Sequence, residues 1–299
     1  MTALNLGDKF NTAKVTDMSC MFINTGNVSM KTLELGGNFD TSSVTDMSRM
    51  FEATGMTAMT SLNLGEKFDT GNVTDMQGMF RSTGFGAMTS LNLGTKFNTT
   101  NVTNMKAMFH TTGYNVMTSL DLGENFNTSN VTDMQEMFRG TGYTAMTKLN
   151  LGENFDTSNV TNMNSMFLAC GKMALKKLDL GDKFCTNKVT DMYRMFDNLE
   201  NTTDIDLGPA FTVIPNNYIN EETEDVNFNK IPAHNAHEKM FDTTGTNANT
   251  TIHASEQIYL DKNNFKLNTN AETSAIEYTR GTINPKYRTN WANQSVVIS

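Results

Sequence analysis

The sequence predicts an α/β solenoid in which a coil of strand, turn and short helix recurs every 29 residues and the strands stack into a parallel sheet along one face. Three observations carry this prediction. The pair Leu-x-Leu-Gly opens at Leu4, Leu33, Leu62, Leu91, Leu120, Leu149 and Leu178, always 29 residues apart, and Ile205-Asp206-Leu207-Gly208 follows after 27. A Met-Phe pair keeps the same step from Met21 to Met195. Each unit also holds one stretch with the period of a strand and one with the period of a helix.

Taken in order, the unit begins on a methionine column, Met30, Met59, Met88, Met117 and Met146. Met1 falls in that column too, so we expect Met1-Thr2 to be a repeat pair and the protein to continue upstream. In "SLNLG" Leu62 and Leu64 point one way and Asn63 the other, as in a strand covered on one face, and Gly65 permits a turn. Strands contributed once per coil must stack in parallel, so eight coils make a sheet about 35–40 Å long. In "VTDMQGMF" the apolar Val73, Met76, Met79 and Phe80 share one helical face, Thr74 with Gln77 matches a capping box, and Thr83-Gly84 supplies the stop.

The run Met59-Thr60-Ser61-Leu62-Asn63-Leu64 resembles the leucine-rich repeat, which makes the expected fold leucine-rich-repeat-like. The fuller units "FDTSSVTDMSRMF" (Phe39 to Phe51) and "FDTSNVTNM" (Phe155 to Met163) are similar to the BspA-like bacterial surface repeats, also called DUF285. That resemblance covers residues 1 to about 208. It implies a large secreted or wall-attached bacterial protein, an extracellular location at the cell surface, and a role in adhesion or protein binding. It brings no catalytic residues.

After Gly208 the rhythm breaks, with Pro209, Pro215 and Pro232 entering a chain that had no proline before them. The domain reading is a repeat solenoid over 1–208 and a β-rich capping region over 209–299. Within the latter, "EKMFDTTGTNANTTIHA" restores the repeat spacing and marks a degenerate coil at about 236–256, beyond an insertion at 209–235. A terminal unit with a polar outer face is what a solenoid needs to close its core. A small partner-binding module is the other reading of this end.

Composition excludes several function classes. A net charge of −9 with no basic tract argues against nucleic acid and anionic membranes, and no apolar run approaches the length of a membrane span. Cys20, Cys170 and Cys185 form neither a disulfide framework nor a zinc pattern. His110, His234, His237 and His253 form no recognisable triad, and the hydrolase, zincin and phosphate-loop motifs are absent, so we expect no enzyme, no catalytic residues, no metal and no cofactor. The recurring MxxM invites Cu(I) through its thioethers, but the methionines share a face with Val73 and Phe80, so core packing is expected. The Asp/Asn column from Asp17 to Asp191 invites calcium, but free exchange with Asn favours hydrogen bonding. The threonine column Thr12 to Thr157 invites an ice-binding array, but its paired spacing is missing.

Two surface columns remain. The residue between the strand leucines, which faces the concave side in leucine-rich repeats, gives a polar stripe through Asn63, Asn92, Asp121, Asn150 and Asp179 that turns acidic toward the C-terminus. The residue after Thr-Gly gives Phe85, Tyr114 and Tyr143 in three consecutive coils, an aromatic patch suited either to anchoring an interface or to packing its own loop. The expected function is a non-enzymatic protein-binding or adhesion module for a protein or host-surface ligand. A purely structural stalk displaying another domain is the alternative.

Overall fold

The computed structural model describes residues 1–65 and 67–211, and beyond them eight short strands together with Met240, Phe241, Thr244 and Ile252. The chain forms a solenoid whose coils advance by the 29-residue repeat. Its strands are β1 (Ala3–Asn5), β2 (Thr32–Glu34), β3 (Ser61–Asn63), β4 (Ser90–Asn92), β5 (Ser119–Asp121), β6 (Lys148–Asn150), β7 (Lys177–Asp179) and β8 (Asp204–Asp206). Pairing is parallel and puts each repeat residue beside its equivalent, as in Leu62 beside Leu91 and Leu120 beside Leu149. From β2 to β7 the central leucine is buried and its neighbours are exposed, which is the alternation expected of a strand covered on one side.

The expected short helix is not formed: no helix occurs among the described residues. Met76 to Thr83 is a run of turns knitted outward to the next coil. The N–H groups of Met76, Gly78, Phe80 and Ser82 donate to the carbonyls of Asn104, Lys106, Met108 and His110 at 2.8–3.0 Å, while those of Met79, Arg81 and Thr83 close turns on Met76, Gly78 and Phe80 at 3.0–3.2 Å. Left-handed residues, Gly78 at φ +59° and Ser82 at φ +56°, sit third in the turns Met76–Met79 and Phe80–Thr83, as a type II turn requires. A turn that advances by three residues has nearly the period of a helix, so the same apolar pattern fits both. Thr74 does not cap a helix; its N–H donates to the Thr45 carbonyl at 2.9 Å.

Inside the coils the core is two columns of phenylalanine among the leucines and methionines. Phe80 lies 5.7 Å from Phe51 and 5.6 Å from Phe109, with rings tilted by 3° and 7°, and it meets Phe97 of the second column at 36°. Met76 and Met79 are fully buried here, as are their equivalents in the neighbouring coils. Threonines satisfy the buried backbone. The Thr70 hydroxyl donates to the Asn98 carbonyl at 2.7 Å and accepts from the Asn98 N–H at 2.8 Å, and the Thr83 hydroxyl donates to the Phe51 carbonyl at 2.7 Å. The Thr12-to-Thr157 column is thus buried against the next coil rather than offered to solvent.

Beyond β8, the described strands are β9 (Tyr218–Ile219), β10 (Thr223–Glu224), β11 (Lys230–Ile231), β12 (His234–Asn235), β13 (Thr250–Ala254), β14 (Ile258–Asp261), β15 (Asn264–Leu267) and β16 (Gln294–Ile298). β9 pairs with β12, β10 with β11 and β14 with β15, all antiparallel. β13 lies parallel to β8 with Ile252 beside Ile205, and β16 follows parallel to β13. Phe241 stacks on Phe196 at 4.9 Å, and the Thr244 hydroxyl donates to the Phe196 carbonyl. Most of the expected insertion at 209–235, and Trp291, lie outside the described residues.

Candidate functional site

The aromatic column rests on its own inter-coil ladder. After each glycine stop the chain makes a tight loop, in which the N–H groups of Gly84 and Gly86 donate to the Thr54 and Met56 carbonyls at 3.0 and 2.6 Å, and Met88 N–H closes back on Gly84 at 3.1 Å. Gly84 must stay unsubstituted, because φ is +54° and a Cβ there would run into the Met88 side chain. This ladder holds Phe85, Tyr114 and Tyr143 in register. Their rings stack at 4.5 Å between successive centroids, tilted by 7° and 12°. The column continues with the Lys172 ammonium 5.4 Å from the Tyr143 ring centre, held by Glu200 at 2.9 Å.

This geometry limits what the patch offers. Tyr114 has a ring on each face, and Tyr143 has a ring on one face and a cation on the other, so these faces are occupied. What remains for a partner is ring edges and the flanking exposed side chains of Val116 and Met173. A platform on which a sugar ring lies flat is therefore not available at the two tyrosines. Burial beside Tyr143 raises the Tyr114 phenol above its ordinary value. Burial alone would lower the Lys172 ammonium, but Glu200 and the Tyr143 hydroxyl more than offset it and hold it raised.

A family model described as "Mycoplasma protein of unknown function, DUF285" matches residues 2–112, 55–144 and 84–207. The chain belongs to the DUF285 family. No curated protein and no solved structure matched it.

In this DUF285 chain the polar stripe does line up on the exposed sheet face, but its residues also have work inside the coil. Asn63, Asn92, Asp121, Asn150 and Asp179 each accept, through Oδ1, the N–H of the glycine two residues on at 2.9–3.2 Å. This side-chain turn ends the strand and introduces the left-handed glycine, which explains why the column is almost wholly Asn or Asp. Asn150 further donates to Asp121 at 3.1 Å, and Lys177 lies 3.4 Å from Asp179, whose charge raises the lysine's pKa, with Asp204 and Asp206 adding to it. A recess of about 370 Å³ between the second and third coils includes Asn63 and Lys67 in its lining but none of the three aromatic residues.

The column from Asp17 to Asp191 uses its oxygens the same way: Oδ1 of Asp75 and of Asn104 accepts the N–H two residues on at 2.8 and 3.1 Å. Among the described residues no group of three His, Cys, Asp or Glu side chains converges as a metal site. No helix among them is long and apolar enough to cross a membrane.

Sequence reasoning missed a charged seam on the turn face of the DUF285 coils. Ion pairs span single turns at Arg49–Glu52 (2.5 Å), Glu136–Arg139 (3.3 Å) and Arg194–Asp197 (2.7 Å), another joins coils at Glu52–Arg81 (3.1 Å), and the His110 imidazole approaches Glu136 of the next coil at 3.8 Å. The available signal was opposite charges three residues apart, always in the same two columns.

Proposed function

We propose that this chain is a non-enzymatic protein-binding or adhesion module of an extracellular bacterial surface protein, and that the Phe85–Tyr114–Tyr143 column is where its partner binds. The observation that carries the reading is the column itself, three half-buried aromatics held in rigid register in a loop row of otherwise small, polar or aliphatic residues. Rigid aromatics with apolar neighbours supply contact area at little entropic cost. Membership of DUF285 is compatible with a surface repeat module. The stripe through Asn63, Asn92, Asp121, Asn150 and Asp179 is the second candidate surface. Repeated shallow columns suit broad protein contact better than the enclosed pocket an enzyme uses.

The test is a screen of the chain against extracellular proteins, repeated with Phe85, Tyr114 and Tyr143 all changed to Ser. Binding that disappears while the circular dichroism spectrum is retained supports the reading, and binding that survives the triple change sinks it. A structural stalk is the second reading, favoured by the stripe side chains being already engaged in ending strands. A stalk predicts that the screen finds no partner for either form.

A further inference from the structure

We infer that the solenoid is built of coil pairs hinged at every second junction, so that it bends on its sheet face while its turn face stays closed. Numbering coils by their strands, β1 pairs with β2, β3 with β4, β5 with β6 and β7 with β8, but among the described residues no strand pairing forms across junctions 2/3, 4/5 and 6/7. The flanking backbone repeats the alternation. Before the strand, Lys31, Thr89, Thr147 and Thr203 donate to the preceding coil at 2.9–3.1 Å; the equivalent bond is stretched to 3.4 Å for Thr118 at junction 4/5 and absent for Thr60 and Lys176 at 2/3 and 6/7. After the strand, Leu6, Leu122 and Leu180 donate to the next coil across tight junctions at 3.0–3.1 Å, whereas Leu35, Leu93 and Leu151 at the loose ones make no such bond; Leu64 at 3/4 also makes none, so that tight junction is held by its strand pairing and the Thr89 bond.

The loosening is confined to this face. In the turn run, Phe51, Phe109 and Phe167 donate across the three loose junctions at 2.9 Å, matching Phe80 and Phe138 across tight ones. The glycine turns agree: a side chain on Gly36, Gly152 or Gly208 would meet the carbonyl of the preceding coil's glycine across a tight junction, while Gly65, Gly123 and Gly181 at the loose ones face open space, as does Gly94 at 3/4. The recess beside Leu33, Leu35 and Leu64 lies at junction 2/3. Away from the strands, each loose junction is bridged by a polar side-chain contact: the Glu52–Arg81 ion pair at 2/3, the buried His110 imidazole 3.8 Å from the Glu136 carboxyl at 4/5 and the Lys172–Glu200 ion pair at 6/7. Each hinge thus has a pinned side and an open side.

Residue-resolved hydrogen exchange on the full chain tests this. The Leu6, Leu122 and Leu180 amides should exchange at least about tenfold more slowly than those of Leu35, Leu93 and Leu151. Equal protection in the two sets overturns the inference. In the Glu52→Gln variant, exchange should quicken for Met47, Arg49 and Phe51, which bond across junction 2/3, and stay unchanged for Met76, Gly78 and Phe80 across 3/4. A uniform change along the solenoid, or none at 2/3, also overturns it.

Discussion

Cys170 shows how a single position reads out the coil. It stands where Thr54, Thr83, Thr112 and Thr141 each donate a hydroxyl to a buried phenylalanine carbonyl at 2.6–2.8 Å. Its thiol is fully buried and free, and burial pushes its pKa far above the usual thiol range, so it is inert. Cys170→Thr should therefore restore the bond and raise stability by about 1 kcal/mol, read from a denaturant midpoint. Asp133 gives the second residue-scale prediction. Burial raises its carboxyl pKa against the pull of the Gln135 N–H and Lys106. The folded chain then holds this proton where the unfolded chain has released it, so the group's stabilisation is present at low pH and lost as pH rises through the folded value. Asp133→Asn keeps the oxygen acceptor, as Asn104 and Asn162 do. Its melting temperature should exceed the parent's at neutral pH, and the gain should shrink toward about pH 3.

The element that decides this fold is the turn run, and its backbone carries strain that the helix reading hid. Ala53, Ala107 and Ala169 all have φ between +53° and +57°, in columns that Gly78 and Gly140 also occupy. A left-handed conformation costs a residue with a Cβ about 1 kcal/mol that glycine does not bear. Ala53→Gly should thus stabilise the chain by about 0.5–1 kcal/mol, whereas in a helix interior it would destabilise by a similar amount. Thermal melts of the variant distinguish the two signs. The turn-spanning ion pairs belong to this same scale. Arg49, Glu136 and Arg194 occupy the left-handed position and reach the residue three on, so each charge is placed by a strained turn.

At the scale of the molecule, a stack whose coils contact chiefly their neighbours should tolerate loss of a whole unit. Removing residues 88–116 joins Ala87 to Met117 and leaves every column in register. The shortened chain should still melt cooperatively, at a lower temperature, with an unchanged β signal per residue in circular dichroism; a collapsed signal would show that coupling runs beyond neighbours. The repeat, its register, the buried Met, Phe and Leu columns and the family were legible in the sequence, because a period of 29 residues is arithmetic and burial follows from its apolar positions. The candidate columns were legible as exposed or varying positions, but their geometry was not. Only the packed stack decided that the aromatic rings cover one another's faces and that the stripe residues end strands. It also decided the turn run over the helix, since apolar spacing near three serves both and the choice rests on where the N–H groups find acceptors. Those acceptors lie one coil away, in the next repeat, where no local pattern can point to them.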